Sequence, residues 1–396
     1  MKNKFLDLGM QPIANNFLTD YSQVYNEYKY RLVVTFDEET KLVSLGEFVP
    51  PEMMFNESYV YHSSMSQTMR THFSEAATDF KKEFNLKKVL EIGSNDGVFL
   101  RHFSPSVACA VEPCSNFAQM TNEMGFHTAP SFWNKKTAAQ IVLERGKQDL
   151  IFSANCMCHV QELDEAFAAI KNTLSSQGVL VFEDPSLLQM IERGSYDQIY
   201  DEHAHIFSVT ALRNLLDKES LEIFRVEKLS VHGGSNRIFV SHKGTREVEG
   251  SVASHLEEEH TAGLGELSAY KRFAAQVEQS KEQLVGLLRE LKRTGNKIVS
   301  YGATSKSTTV FNYCGITSEL IDYIVDTTPS KQEKLSPGVH IPVISPEEGF
   351  IETVDYAFLG AWNFEKEIVD KEKEFFKRGR FISHVPYVRI VGDENE

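Results

Sequence analysis

The chain has 396 residues and a formal net charge of −15, with 41% hydrophobic and 24% charged residues. This length predicts two or three domains, and the composition is that of an ordinary globular protein. The acidic balance excludes a nucleic-acid surface, because phosphate binding requires concentrated lysine and arginine. No apolar stretch approaches the roughly 20 residues of a membrane span, and the opening "MKNKFLDLGMQP" contains no apolar signal core. We therefore expect a cytoplasmic protein that contacts neither nucleic acid nor membrane.

The five cysteines form no CxxC pair and no even-numbered framework. This usage predicts free, buried thiols in a reducing compartment. Cys156 and Cys158 alternate at the end of a predicted strand, where we expect them to be buried and not to bind a metal.

Residues 1–65 predict a small α+β cap. Short β-like runs, "YRLVVTF" and "KLVSL", stand between the proline-containing breaks "MQPIANNF" and "FVPPEMMF". A helix is expected over roughly 66–84, with Ser64 or Ser66 as its N-cap.

From Lys87 onward, buried strands alternate with glycine turns and helices. The strand-like runs are "KKVLEIG", "VACAVEP", "DLIFSANC" and "VLVFEDP", and "SNDGVFLRHF" is expected to turn into a helix. Strands alternating with helices predict βαβ units on a parallel sheet. Two β segments around a glycine turn, in "LEIFRVEKLSVHGGSNRIFVSHKG", predict a closing hairpin. We expect this Rossmann-like α/β domain to cover residues 66–250.

A helical connector and a second α/β domain follow. Residues 252–293 are rich in Glu, Lys, Leu and Ala and show one long helical pattern that ends near Gly295, so 251–295 is the predicted connector. The run "KIVSYGATSK" then repeats the order of strand, glycine turn and helix. A second Rossmann-like α/β domain is therefore expected over 296–396.

The first glycine turn of the central region predicts a cofactor site. In "VLEIGSNDG" the turn directly follows a buried strand, where a ligand can approach backbone amides at a helix N-terminus. The spacing is E-x-G-x-x-x-G, and the next strand ends in a carboxylate that can bind both ribose hydroxyls. This residue pattern is typical of class I S-adenosylmethionine methyltransferases. Binding of NAD, and a Rossmann-like turn that binds no cofactor, are open alternatives. The predicted cofactor-binding residues are Glu91, Gly93, Asn95, Asp96, Gly97, Glu112, Pro113 and Asn155.

The stretch "QIYDEHAHIFSV" predicts a second site, facing His159 across the same sheet edge. Metal binding is one interpretation, but Glu202, His203 and His205 lack the i, i+4 spacing of helical ligands. A solvated polar loop is another, although it needs no apolar neighbours. A histidine beside a carboxylate, with the Tyr200 hydroxyl nearby, favours acid/base chemistry. Such a set suits formation of an enolate next to a carbonyl, as methyl transfer to carbon requires.

Ordered motifs occur along nearly the whole chain: "LGMQPIANNFL", "YVYHSSMSQTMRTHF", "VLEIGSNDGVFL", "AVEPCSNFA", "CMCHV", "IYDEHAHIFS", "HGGSNRIFV", "YGATSKSTTVFNYCG", "VDTTPSKQEKLSPGVHIPV" and "GAWNF". Together they resemble the S-adenosylmethionine-dependent C-methyltransferases of nucleotide-linked 4-keto-deoxysugars, which methylate carbon 3. The resemblance implies that His203 removes the carbon-3 proton and that Glu202 orients His203. It also implies that Tyr200 and His159 lie near the ketone oxygen.

Other positions match the family less completely. Tyr61 matches a tyrosine that reaches the active site, with Tyr59 as a competing alignment, and His205 receives no role. Relatives usually hold zinc on four cysteines in the N-terminal domain, whereas the first cysteine here is Cys109. We therefore expect an N-terminal cap without zinc. Asp201 stands where many relatives have histidine, so a second base is absent there.

The resemblance also implies a nucleotide-diphosphate sugar as substrate, linked to thymidine or guanosine diphosphate. The run "YGATSK" would be a glycine turn at a helix N-terminus, which suits a diphosphate. The candidate substrate-binding residues are His232, Arg237, Tyr301, Gly302, Lys306 and Lys331.

The expected function is methyl transfer from S-adenosylmethionine to carbon 3 of a nucleotide-linked 4-keto-6-deoxyhexose. An O- or N-methyltransferase of another small metabolite is the enzymatic alternative, and a non-catalytic nucleotide-sugar-binding module is the other. The sequence leaves open the hexose, the nucleotide, a hydroxyl or an amine at carbon 3, and the oligomeric state.

Overall fold

A computed structural model describes residues 2–392. Its strands form three sheets. In chain order the strands are β1 (Lys2–Pro12), β2 (Lys29–Asp37), β3 (Val43–Leu45), β4 (Val89–Ile92), β5 (Ala108–Val111), β6 (His127–Ala129), β7 (Gln148–Ala154), β8 (Leu174–Pro185), β9 (His205–Ile206), β10 (Leu221–Leu229), β11 (Ser235–His242), β12 (Ile298–Tyr301), β13 (Ile324–Val325), β14 (Lys334–Leu335), β15 (Pro342–Ile344), β16 (Tyr356–Leu359), β17 (Arg380–Ser383) and β18 (Arg389–Ile390).

Helices cover the sheets and connect them. In chain order they are α1 (Pro51–Met54), α2 (Gln67–Glu83), α3 (Ser115–Glu123), α4 (Lys135–Arg145), α5 (Leu163–Thr173), α6 (Leu187–Arg193), α7 (Val209–Lys218), α8 (Gly250–Thr261), α9 (Leu267–Arg293), α10 (Ser305–Cys314), α11 (Pro346–Gly349), α12 (Glu365–Lys371) and α13 (Lys373–Phe376). Within residues 2–392, no helix is both long enough and apolar enough to cross a membrane.

The N-terminal sheet is antiparallel, in the order β1-β2-β3-β9. Along β2 every second side chain is buried, from Tyr30 to Phe36, because alternate residues of a strand point to opposite faces. Its fourth strand, β9, comes from the middle of the chain and directly follows His203 and Ala204. The N-terminal sheet is thereby joined to the stretch that carries the predicted base.

The central sheet has the order β10-β11-β8-β7-β4-β5-β6. Strands β4 to β8 run parallel, and β11 is antiparallel to both of its neighbours, which confirms the predicted parallel sheet and hairpin. Both faces are covered, because Val89 and Leu90 of β4 belong to separate buried clusters. Gly93, Glu112 and Asn155 follow three parallel strands and so meet at one edge.

The C-terminal sheet has the order β14-β15-β13-β12-β16-β17-β18. Its inner strands are parallel and the two outermost are antiparallel, as expected for a second α/β unit. Helix α10 begins directly after the "YGAT" turn, where Thr304 and Ser307 form a capping box.

The observed element boundaries bear on four local expectations from the sequence. The predicted helix at 66–84 is present as α2, and the Ser66 hydroxyl accepts a hydrogen bond from its third residue. The long pattern at 252–293 is two helices, because Gly263 adopts a φ of 77° that ends α8. The segment after Gly93 makes only a turn and a short 3-10 helix, since Asn95 has a φ of 47°. Cys156 and Cys158 lie beyond β7, at a 3-10 turn over Met157–His159, not on the strand itself.

Candidate functional site

One cavity of about 720 Å³ lies where the three sheets meet. Its size falls within the range of small-molecule sites in proteins. It is lined by the N-terminal segment through Asn15 and Tyr59, by the central sheet through Glu112, by the stretch before β9 through His203, and by the C-terminal segment through Lys306. All three parts of the chain therefore contribute to a single site.

The predicted cofactor turn forms one end of this cavity. Gly93, Asn95, Glu112, Pro113 and Asn155 all line it, as expected. One carboxylate oxygen of Glu112 accepts a hydrogen bond from the backbone N–H of Asn95 at 2.7 Å, and the other accepts one from the backbone N–H of Cys114 at 2.8 Å. These bonds fix the carboxylate at the strand end and hold the turn against it.

Three residues of the same motif stand behind the cavity wall, contrary to the expectation of direct contact. Glu91 is 4% exposed, and burial followed by the nearby Glu112 raises its pKa well above the usual value. Asp96 accepts hydrogen bonds from the hydroxyl and the backbone N–H of Ser64, at 2.6 and 3.1 Å. Gly97 is likewise absent from the lining. These residues support the turn and tie it to the segment before α2.

His203 lies in a stack of rings on the opposite side of the cavity. Its ring centroid is 4.2 Å from that of Tyr200 and 5.4 Å from that of His159, which in turn lies 5.3 Å from Phe55. Burial, with positive charge nearby as a smaller cause, lowers the pKa of His203 well below its usual value. The Nδ1–H donates to the backbone carbonyl of Gln198 at 2.6 Å. The neutral ring therefore has Nε2 as an acceptor.

Glu202 does not orient His203, which corrects the expectation from the sequence. Its two carboxylate oxygens accept hydrogen bonds from the Asn15 side chain at 2.7 Å and from the Tyr59 hydroxyl at 2.8 Å. A backbone carbonyl performs the orienting role for the imidazole. Burial raises the pKa of Glu202, and the two donors oppose that shift.

The two competing tyrosines have different surroundings. Tyr59 contacts Glu202, whereas Tyr61 lines the cavity nearer the cofactor turn, where its backbone carbonyl accepts the Asn95 side chain at 3.0 Å. Asn15 was not predicted at all, although "LGMQPIANNFL" was recognised as a motif. The only available signal was a polar pair inside an otherwise apolar run.

His159 and His205 differ in their partners. The Nε2 of His159 is buried and has no hydrogen-bond partner, and burial lowers the pKa of this ring to about 3. His205 is held by the Ser44 hydroxyl at 2.8 Å and by the Gln161 carbonyl at 3.3 Å. It lies outside the cavity lining and connects β9 to β3.

Within residues 2–392, one His/Cys/Asp/Glu set has ligand atoms close enough to share a metal: Cys158, His159 and His203, within 4.8 Å of one another. This is not the Glu202–His203–His205 set considered from the sequence. Burial and then the Asp184 carboxylate raise the pKa of the Cys158 thiol well above its usual value, which disfavours the thiolate that binds metals. That no metal is needed stays a prediction.

Five of the six predicted substrate-binding residues line the cavity: His232, Tyr301, Gly302, Lys306 and Lys331. The Lys331 ammonium donates to the Ala303 carbonyl at 2.7 Å, and burial lowers the pKa of Lys306. Arg237 is the exception. It pairs with Glu183 at 2.7 Å and Glu227 at 3.2 Å on the central sheet, so it is a structural ion pair and not part of the lining.

Three family models match successive parts of the chain: a putative zinc binding domain at 1–55, a methyltransferase domain at 61–225 and a C-methyltransferase C-terminal domain at 230–386. The first matches although residues 1–55 contain neither cysteine nor histidine. C-methyltransferase NovU of Streptomyces niveus is 30% identical over 98% of this chain and 94% of its own length.

Solved structures of methyltransferases also match part of the chain. An S-adenosylmethionine-dependent methyltransferase from Clostridium acetobutylicum is 13% identical over 46% of this chain and 94% of its own, with a TM-score of 0.35. A possible histamine N-methyltransferase from Thermotoga maritima is 19% identical over 44% of this chain and 90% of its own, with a TM-score of 0.35.

Proposed function

Because the chain belongs to the family of S-adenosylmethionine-dependent C-methyltransferases, we propose that it methylates carbon 3 of a nucleotide-linked 4-keto-6-deoxyhexose. The observation that carries this proposal is the neutral His203 imidazole, whose unprotonated Nε2 belongs to a cavity shared with the cofactor turn. Carbon is a nucleophile only after it loses a proton, and a base of this kind is what that step requires.

S-adenosylmethionine supplies an electrophilic methyl group on a sulfonium. The residues at the cofactor turn fit it, because each Glu112 oxygen accepts one amide and retains a lone pair for a ribose hydroxyl. A Cβ on Gly93 would lie 2.7 Å from the Cys156 sulfur, so the turn leaves no room for a side chain. Asn155 and Pro113 complete that end of the cavity.

The base step is assigned to His203. Its Nε2 takes the proton from carbon 3, and the electron pair of that C–H bond delocalises onto the ketone oxygen as an enolate. The Gln198 carbonyl continues to accept Nδ1–H while the ring becomes an imidazolium. Bound at the turn, S-adenosylmethionine would supply the methyl group that carbon 3 attacks, the electrons of the sulfur–methyl bond would remain on sulfur, and the ketone would re-form.

The enolate oxygen needs hydrogen-bond donors. The hydroxyl of Tyr200 suits this role because burial and the neighbouring Glu202 raise its pKa well above the usual value, so the phenol keeps its proton. His159 lies beside His203 with an unpartnered Nε2. Glu202 and Tyr59 form a hydrogen-bonded pair that we assign to sugar hydroxyls, and Tyr61 to the space between sugar and cofactor.

The nucleotide diphosphate is assigned to the C-terminal side of the cavity. Tyr301 and Gly302 lead into the N-terminus of α10, and Lys306 and Lys331 add positive charge there. Backbone amides at a helix start and lysine ammonium groups are the usual partners of phosphate oxygens. The nucleotide in this proposal is thymidine or guanosine diphosphate.

The direct test is hydrogen exchange at carbon 3. The protein is incubated in D₂O with S-adenosylhomocysteine and a 4-keto-6-deoxyhexose linked to thymidine or guanosine diphosphate. Deuterium should enter carbon 3, and His203→Ala should slow this by at least about 100-fold with the fold preserved. His127→Ala, which removes an exposed contact with Glu144, serves as the control with wild-type exchange. Methylation of oxygen or nitrogen without any exchange would refute the proposal.

A further inference from the structure

The residues just before the predicted base are held by the C-terminal segment. We call Tyr196–Ile199 the 196–199 turn. The Tyr196 hydroxyl lies 3.5 Å from the Cys314 sulfur, and the Thr309 hydroxyl donates to the Ile199 carbonyl at 3.1 Å. Cys314 and Thr309 both belong to α10, so this helix contacts the two ends of the turn.

The middle of the turn is held by a buried polar contact. The Trp362 indole N–H donates to a carboxylate oxygen of Asp197 at 2.5 Å, and the His384 ring nitrogen lies 3.6 Å from the same oxygen. Asp197 is fully buried. The indole also packs on Gly233, where an added Cβ would come within 2.5 Å of the ring. Trp362 therefore fills the space between the turn and the loop that carries His232.

The same turn determines which nitrogen of His203 carries the proton. The carbonyl that accepts Nδ1–H, at 2.6 Å, is that of Gln198, the residue after Asp197. A carbonyl can only accept, so its position places the proton on Nδ1 and leaves Nε2 free. Displacing the turn would move this carbonyl and allow the other tautomer.

We propose that Trp362 and Asp197 are positioning residues. The contact of Trp362, from the C-terminal segment, with Asp197 holds the Gln198 carbonyl in place, so that His203 presents an unprotonated Nε2 to the substrate. The C-terminal segment thus completes the base as well as the cavity. This inference rests on the proposed function of His203, but it makes a claim about a tautomer that can be measured without substrate.

Histidine-selective ¹⁵N NMR of the full-length protein tests it, because the shifts of Nδ1 and Nε2 distinguish the tautomers. The His203 signals are assigned by their loss in His203→Gln. Trp362→Phe keeps an aromatic ring but removes the N–H together with part of the indole, and the nearly isosteric Thr309→Val removes only the hydroxyl contact to Ile199 as a milder second variant. Tyr270→Phe is the matched control, since it loses a buried 2.8 Å hydrogen bond to the carbonyl of Leu264, which is not part of the turn.

Wild type and Tyr270→Phe should show Nδ1 protonated and Nε2 unprotonated. Trp362→Phe should show a mixture of tautomers, and carbon-3 exchange should fall about 10- to 100-fold through kcat with little change in KM. Thr309→Val should shift both readouts less in the same direction. An unchanged tautomer in both variants would overturn the inference whatever the activity. Absence of carbon-3 exchange in the wild type would contradict the proposed function. The tautomer comparison would still decide whether Trp362 and Asp197 position the Gln198 carbonyl.

Discussion

Replacing Gly93 by alanine tests the close approach on which the cofactor turn depends. Gly93 has a φ of 74°, where a side chain costs about 1–2 kcal/mol. The added Cβ would also lie 2.7 Å from the Cys156 sulfur and 2.9 Å from its Cβ, and such overpacking costs about 1–3 kcal/mol. We therefore expect Gly93→Ala to lower the free energy of unfolding by about 2–5 kcal/mol.

Cofactor binding should weaken as well. Relief of the contact moves the turn away from Cys156 and into the cavity, so the affinity for S-adenosylhomocysteine should fall by about tenfold or more, or 1.4 kcal/mol. Urea unfolding and titration calorimetry measure the two effects. Gly286→Ala is the control, because that helical glycine has open space around it and a normal φ, and alanine should stabilise it by about 0.5–1 kcal/mol.

A double-mutant cycle separates the two causes. In a Cys156→Gly background the contact atoms are gone, so adding Gly93→Ala should cost only the backbone part of about 1–2 kcal/mol. An equal cost in both backgrounds, or no loss of affinity in either, would refute this account of the turn.

Three further outcomes are expected. Tyr59→Phe removes a hydrogen-bond donor that favours ionised Glu202, so the pKa of Glu202 should rise and the acid limb of the pH profile of kcat/KM should move to higher pH. An acid limb at the same pH in the variant would show that the Tyr59–Glu202 pair takes no part in catalysis. Burial lowers the pKa of His205 from 6.5 to about 4, so between these pH values only the unfolded chain binds a proton at this residue. Relative to His205→Asn, the wild type should therefore lose about 3 kcal/mol of unfolding free energy as the pH falls from 7 to 4. The same pH dependence of the unfolding free energy in both proteins, measured by urea unfolding, would contradict this. Dialysis against a chelator should leave the melting temperature unchanged, since residues 1–55 contain neither cysteine nor histidine; a drop would reveal a bound metal.

Features that depend on local pattern were predictable. Buried strands followed by glycine turns predicted the parallel sheet. Glu112, at the end of the second of these strands, lines the cavity beside the glycine turn. The boundary of α2 followed from its Ser66 cap. Hydrophobic periodicity and capping are properties of neighbouring residues, which is why sequence spacing sufficed.

Features that depend on distant contacts were not. Glu202 is adjacent to His203, so pairing them was the natural inference, but Asn15 reaches Glu202 from 187 positions away. The carbonyl that orients His203 belongs to the backbone, which leaves no mark on residue type. Arg237 lies within the motif "HGGSNRIFV" and was a substrate-binding candidate, yet the buried carboxylate of Glu183 on the adjacent strand pairs with it. Only the folded chain decides such competitions.

The site to which the methyl group is transferred tests the central claim most directly. S-adenosylmethionine carrying a ¹³C-methyl group is incubated with the protein and a nucleotide-linked 4-keto-6-deoxyhexose, and carbon–carbon coupling is measured in the product by NMR. A one-bond coupling between the labelled methyl and carbon 3 is the expected result. A labelled methyl attached to oxygen or nitrogen, with no carbon–carbon coupling, would contradict the account.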